Sequence, residues 1–272
     1  MTEDLNNHIK FLENKINELN IQNNALILEL DLIKKLLLND SSIFEDKKNF
    51  CPICGELSVF ESFGEIPRMN VKCPNCGSVE RHRMLYLLFK QRFYDLLTNK
   101  NIKLLHFAPE KMFYDLFRKN KNIDYYPVDI NPQIYEPRIH IRKKVNMEQI
   151  PYEDNKFDFI YNCHVLEHVP DDIKGMSELY RVLKDDGICV TLVPYFGYLE
   201  ETLEKEEYNT PELRFKYYGQ HDHLRKYGAD FKDKLESVGF NVELVTLSDV
   251  VSSKTDTELF RLVDDTFFIC TK

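Results

Sequence analysis

A chain of 272 residues holds one domain of ordinary size with room for accessory pieces. Its formal net charge of −9 disfavours a phosphate-backbone partner, which selects basic surfaces. No run approaches the roughly 18 apolar residues of a membrane span, and the opening Met1-Thr2-Glu3-Asp4 lacks the basic-then-apolar pattern of a signal peptide, so a cytoplasmic chain is expected.

Residues 1–40 carry heptads. Leu5, Leu12, Leu19, Leu26 and Ile33 fall at d positions; Ile9, Ile16, Asn23, Leu30 and Leu37 fall at a. So narrow a stripe suits a helix pairing with a copy of itself, and Asn23 in the seam fixes register and favours two strands. A homodimeric coiled coil is the expectation, a lone helix folded on its own domain the alternative.

Residues 41–80 contain Cys51-Pro52-Ile53-Cys54-Gly55 and Cys73-Pro74-Asn75-Cys76-Gly77, with eighteen residues between the pairs. Each turn points two thiolates at one ion. Four thiolates are the usual structural zinc set, with no open position for substrate; iron in the same cage is the alternative. Cys51, Cys54, Cys73 and Cys76 are therefore the expected ligands of a zinc ribbon, with Leu57–Val71 as its hairpin. Cys163, Cys189 and Cys270 lie in apolar runs and read as buried thiols. Arg81-His82-Arg83 then reads as the solvated first turn of a helix through Met84–Phe89, or as an anion contact.

Residues 81–272 alternate strands with helices. Strands are expected at Lys103–Phe107, Ile123–Val128, Phe157–Cys163 and Ile188–Val193, and helices at Met112–Arg118 and Ile173–Leu183, the latter ended by Lys184-Asp185-Asp186-Gly187. An insertion without clear periodicity spans 194–228. A helix at Phe231–Val238, capped by Gly239, precedes a last strand pair at Asn241–Leu247 and Thr266–Thr271. This order implies an α/β fold: a mostly parallel sheet with helices on both faces, binding ligands beyond the carboxyl ends of its strands.

The run Phe157-Asp158-Phe159-Ile160-Tyr161-Asn162-Cys163-His164-Val165-Leu166-Glu167-His168-Val169-Pro170, continued by Arg181-Val182-Leu183-Lys184-Asp185-Asp186-Gly187, resembles the fourth-motif region of class I S-adenosylmethionine-dependent methyltransferases of the type 11 kind. The chain also looks like a subgroup in which a double C-P-x-C-G ribbon precedes the domain and which carries a late Y-G-x-x-D-H-x-R-x-Y-G segment. The resemblance implies a Rossmann-like sheet and S-adenosylmethionine as cofactor. It places the cofactor turn at Leu105-His106-Phe107-Ala108-Pro109-Glu110, where the family has L-D-x-G-x-G. His106 replaces the Asp, Ala108 the first Gly and Glu110 the second, so the turn is either reshaped or inactive. Asp129 matches the acid that binds the ribose hydroxyls, Asn146-Met147 the pair beside the adenine. Asn162, Cys163 and His164 fall near the methionine end. A nicotinamide-dinucleotide enzyme competes on fold grounds, but the chain has no G-x-G-x-x-G at this turn.

The densest set of acceptor-side groups is Tyr217–Gly228. His221 and His223 flank Asp222; either imidazole can take a proton, and Arg225 can clamp an anionic substrate. If this segment is extended, His221 and His223 share a face and can also meet at a metal. A structural loop is the bland alternative. Tyr195, Phe196, Tyr198 and Tyr217 suit a sugar ring. The expectation is methyl transfer to a small molecule or glycan at a hydroxyl, with nucleic acid unlikely. The alternatives are an RNA methyltransferase using the ribbon and Arg81-His82-Arg83, and a non-catalytic scaffold on a degenerate fold.

Overall fold

The structure, a computed structural model, describes residues 48–64, 67–99, 101–135, 137, 139–251, 254–263 and 265–272. The heptads of 1–40, and the dimer they imply, lie outside the described residues.

A seven-stranded sheet organises the chain. Strands β5 (Ile102–Phe107), β6 (Ile123–Asp129), β7 (Lys143–Lys144), β8 (Phe157–Cys163), β9 (Leu183–Leu192), β10 (Asn241–Val245) and β11 (Phe267–Thr271) lie in the order β10-β11-β9-β8-β5-β6-β7. β5 to β9 run parallel; β11 is antiparallel to both β9 and β10. This is a Rossmann-like sheet, the fold that the resemblance implies. The direction of winding reverses between β5 and β8, which places a crevice beyond the carboxyl ends there.

Both faces are covered, as the near-continuous burial along β5 and β8 requires. On one face Leu105, Ile160 and Phe268 pack with Met176 and Leu179 of helix Asp172–Val182 and with Phe231 and Leu235 of helix Phe231–Ser237. On the other, Leu104, Phe159 and Tyr161 pack with Leu85 and Phe89 of helix α1 (Glu80–Arg92) and with Phe113 and Phe117 of helix α3 (Lys111–Lys119). Between them lies the short helix α2 (Tyr94–Asn99). No described helix is long and apolar enough to cross a membrane.

Two boundaries differ from expectation. Lys184-Asp185-Asp186-Gly187 does not follow the helix as a cap: Leu183 is already paired with Phe157, and the four residues bulge out of β9 before Ile188 meets Phe159. The bulge keeps two exposed acids off the core without breaking the strand. Within the ribbon, β3 (Glu61–Phe63) and β4 (Arg68–Lys72) form the hairpin, while β1 (Asn49–Phe50) pairs with β2 (Leu57–Ser58) around the first cysteine turn.

Arg81-His82-Arg83 is not a solvated turn. His82 and Arg83 are buried. Arg83 donates to the carbonyls of Val71 and Ser78 in the ribbon and of Phe260 and Arg261 near the chain end. It staples the ribbon to the sheet domain and is not free for an anion.

Candidate functional site

The ribbon comes first, since its geometry decides what it can hold. Gly55 and Gly77 follow the second cysteine of each pair with φ of 77° and 76°, and their N–H groups return to the carbonyls of Cys51 and Cys73. That left-handed step, which glycine takes without steric cost, turns both thiols of each pair inward. Cys51 and Cys76 Sγ are 3.6 Å apart, Cys54 and Cys73 Sγ 3.7 Å. A tetrahedron with Zn–S bonds of about 2.3 Å has edges of about 3.8 Å. The four thiols thus fit zinc, and they are too far apart for disulfides. Ser78 Oγ lies 3.3 Å from Cys51 Sγ and 3.2 Å from Cys76 Sγ, where it supports both ligands.

The second site is a cleft of about 420 Å³ beyond the carboxyl ends of β5 and β6. It brings together Ala108, Asp129, Asn146 and Met147, four of the eight residues expected at a cofactor, with His168 and Val169 on the opposite wall. Ala108 has a φ of 49°, the left-handed region that the family fills with glycine. The turn therefore keeps a glycine-like path, and only a methyl group separates its backbone from the cleft. Asp129 ends β6; its carboxylate accepts from the Asn131 N–H (2.6 Å) and the Tyr135 hydroxyl (2.7 Å). Burial, and then the Asp129 carboxylate, push the Tyr135 phenol well up, so it stays a donor. Tyr135 was not foreseen; it lies in a short 3₁₀ segment with no periodic signal. Asn146 carries an accepting bond from Glu148 N–H on its carbonyl oxygen, which leaves a further lone pair.

The other four cofactor candidates do not line this cleft. Pro109 is buried. Asn162 is fully buried and donates to Thr191 Oγ1 inside the sheet. Cys163 alternates to the opposite face of β8, among the α1 and α3 side chains. Glu110 turns its carboxylate inward, accepting from His106 Nε2 (3.0 Å) and the Tyr161 hydroxyl (2.9 Å). Burial alone would raise its pKa, but the His106 hydrogen bond and the His106 and His82 rings hold the carboxyl well below its ordinary range. Burial keeps His106 neutral, so Nε2 donates to Glu110 while Nδ1 accepts from Tyr125 at 2.8 Å. Two of the three departures in the turn, His106 and Glu110, thus satisfy each other.

The acceptor side is also redrawn. His221 and Asp222 lie in a turn, not a strand, so alternation does not bring His221 to His223: His221 is exposed, His223 buried. His223 instead faces His168, with ring centroids 4.9 Å apart. Asp222 accepts from His168 Nδ1 through its backbone carbonyl (3.3 Å), with its carboxylate at 3.4 Å. Arg225 cannot clamp a substrate. Its five N–H groups go to Glu204 twice and to the carbonyls of Leu166, Val169 and Pro170. Tyr195 packs edge-on against Phe268, and Tyr217 stacks on Tyr208 at 3.9 Å. His164, at φ 54° just past β8, lies 2.9 Å from Glu167 Oε1. Burial pushes Glu167 up, but the His164 contact outweighs it and the acid stays below its ordinary pKa.

A second hollow, about 650 Å³, lies between α1, α2 and α3. It is apolar and borders Ile123, where β6 begins, so it is remote from the carboxyl ends.

A family model described as Methyltransferase domain (Methyltransf_11) matches residues 110–191. A Mycolicibacterium smegmatis protein named "Probable S-adenosylmethionine-dependent methyltransferase" is 30% identical over 108 residues, 39% of this chain and 37% of its own length. The demethylmenaquinone methyltransferase of Oceanobacillus iheyensis is 32% identical over 105 residues, 34% of this chain and 41% of its own. The chain thus spans well under two thirds of these relatives. Among solved structures, the YcgJ protein of Bacillus subtilis aligns with a TM-score of 0.47 at 14% identity, covering 70% of this chain and 99% of that one.

Proposed function

We propose that the chain is an S-adenosylmethionine-dependent methyltransferase acting on a small molecule or glycan, at a hydroxyl. The observation that carries the reading is one cleft holding a left-handed Ala108, the Asp129 carboxylate and the Asn146-Met147 pair, at the place where such sheets bind nucleotides. A carboxylate accepts from both hydroxyls of a vicinal diol, so Asp129 suits the ribose; Met147 offers an apolar contact to a base. When bound, the sulfonium supplies an already activated methyl group, and the chain's task is alignment and exclusion of water. The burial of Arg83 and His82 weakens the RNA alternative, which leaned on them as a basic contact.

The acceptor class is tested by incubating the full chain with methyl-labelled S-adenosylmethionine and two fractions of one cell extract, soluble metabolites with glycans and total RNA. Label is expected in the first as a base-stable methyl ether. Label in the RNA alone would overturn the acceptor assignment.

A further inference from the structure

Two stretches far apart in the chain are zipped together beside the cleft. Arg225 holds the carbonyls of Leu166, Val169 and Pro170; Leu224 N–H donates to the Glu167 carbonyl, and the Tyr227 hydroxyl to that of Leu166. The zipper sets His223 against Glu167 and His168. One donor atom from each of the three lies within 4.8 Å of the others. Two polar atoms at this point are buried without a hydrogen-bond partner among the described residues: Glu167 Oε2, on a side chain with no exposure, and His223 Nδ1, on one 7% exposed. A buried carboxylate oxygen left bare is costly, so an acceptor without a donor inside this cluster calls for a further partner.

We propose that Glu167, His168 and His223 form a second metal site, distinct from the ribbon, for a divalent first-row transition ion. Two imidazoles and one carboxylate are hard and borderline donors; they suit zinc, iron(II), manganese or cobalt, and unlike the ribbon they leave coordination positions open. A tetrahedral shell with bonds of about 2.0–2.1 Å has donor separations of about 3.3 Å, so the three side chains must draw closer to close it around an ion. Supporting contacts are in place. Asp222 engages His168 Nδ1, which orients that ring, and His164 lies against Glu167 Oε1 at 2.9 Å. His168 also lines the cleft, so the ion sits at its wall.

Cobalt(II) separates the two sites. It is added to the full chain with its ribbon filled with zinc, since four thiolates bound to cobalt give intense thiolate charge-transfer absorption and a His₂Glu site gives only weak visible d–d bands. One equivalent of cobalt is expected to bind with d–d bands and no charge transfer. His168→Ala and Glu167→Gln are each expected to weaken it at least about tenfold. His168 is one-third exposed, so its replacement leaves the fold in place if changes at buried His223 or Glu167 do not. No d–d band at saturating cobalt, or equal binding by folded His168→Ala, overturns the site. Neither result touches cofactor binding, and a chain that fails to bind S-adenosylmethionine can still carry this ion.

Discussion

Replacing Arg225 with Met should lower the unfolding free energy of the chain by about 3–5 kcal/mol, the cost of leaving three buried or part-buried carbonyls without their donor at about 1–3 kcal/mol each. Arg225 is 2% exposed, and its guanidinium is shared between the Glu204 carboxylate and three backbone carbonyls. Methionine fills similar volume but leaves all three carbonyls without their donor. Asp172, 3.7 Å from Arg225 Nε, loses a nearby cation as well and retains the Tyr227 hydroxyl and Lys234. Lysine should recover little, because an ammonium cannot reproduce five donors in a planar fork. Denaturant unfolding of the three proteins measures this. A loss below about 1 kcal/mol for Arg225→Met would mean that the Leu166–Pro170 loop is held by something else.

The largest effect is expected at the ribbon. Structural zinc in small tetrathiolate modules contributes about 10–16 kcal/mol of apparent binding energy, which is folding energy where no site exists in the unfolded chain. Treating the full chain with a mercurial thiol reagent should release one equivalent of zinc from Cys51, Cys54, Cys73 and Cys76. Cys73→Ala should release none and should lose protection of backbone amides in β3 and β4. The damage should spread to the start of α1, because two of the Arg83 acceptors, the Val71 and Ser78 carbonyls, belong to the ribbon. A wild-type chain that yields no zinc on thiol modification would remove the site.

How much of this was legible depended on whether the signal was local. Strand β8 runs Phe157–Cys163 and β6 ends at Asp129, both as expected. The cysteine turns carry their own geometry in the C-P-x-C-G spacing. What the sequence could not show was where long side chains spend their charge. Arg83 reaches a carbonyl 177 residues away and Arg225 carbonyls more than fifty residues back, and neither partner leaves a mark near the arginine. A surface clamp and a buried staple look alike until the fold is known. His223 shows the same limit: its neighbour is not His221, two residues away, but His168, brought in by the zipper. The altered cofactor turn is a milder case. His106 and Glu110 each read as a defect, and only the fold shows that they are hydrogen-bonded to each other.

The central claim is that the cleft beyond β5 and β6 binds S-adenosylmethionine with its ribose on Asp129. Calorimetric titration of S-adenosylhomocysteine into the wild-type chain and into Asp129→Ala tests it most directly. Losing a charge-assisted acceptor costs about 1.5–3 kcal/mol, so the variant should bind about ten-fold to over a hundred-fold more weakly, with unchanged thermal stability as the control for folding. A folded wild-type chain that shows no heat at saturating ligand, or an Asp129→Ala chain that binds as tightly as the wild type, would contradict the account.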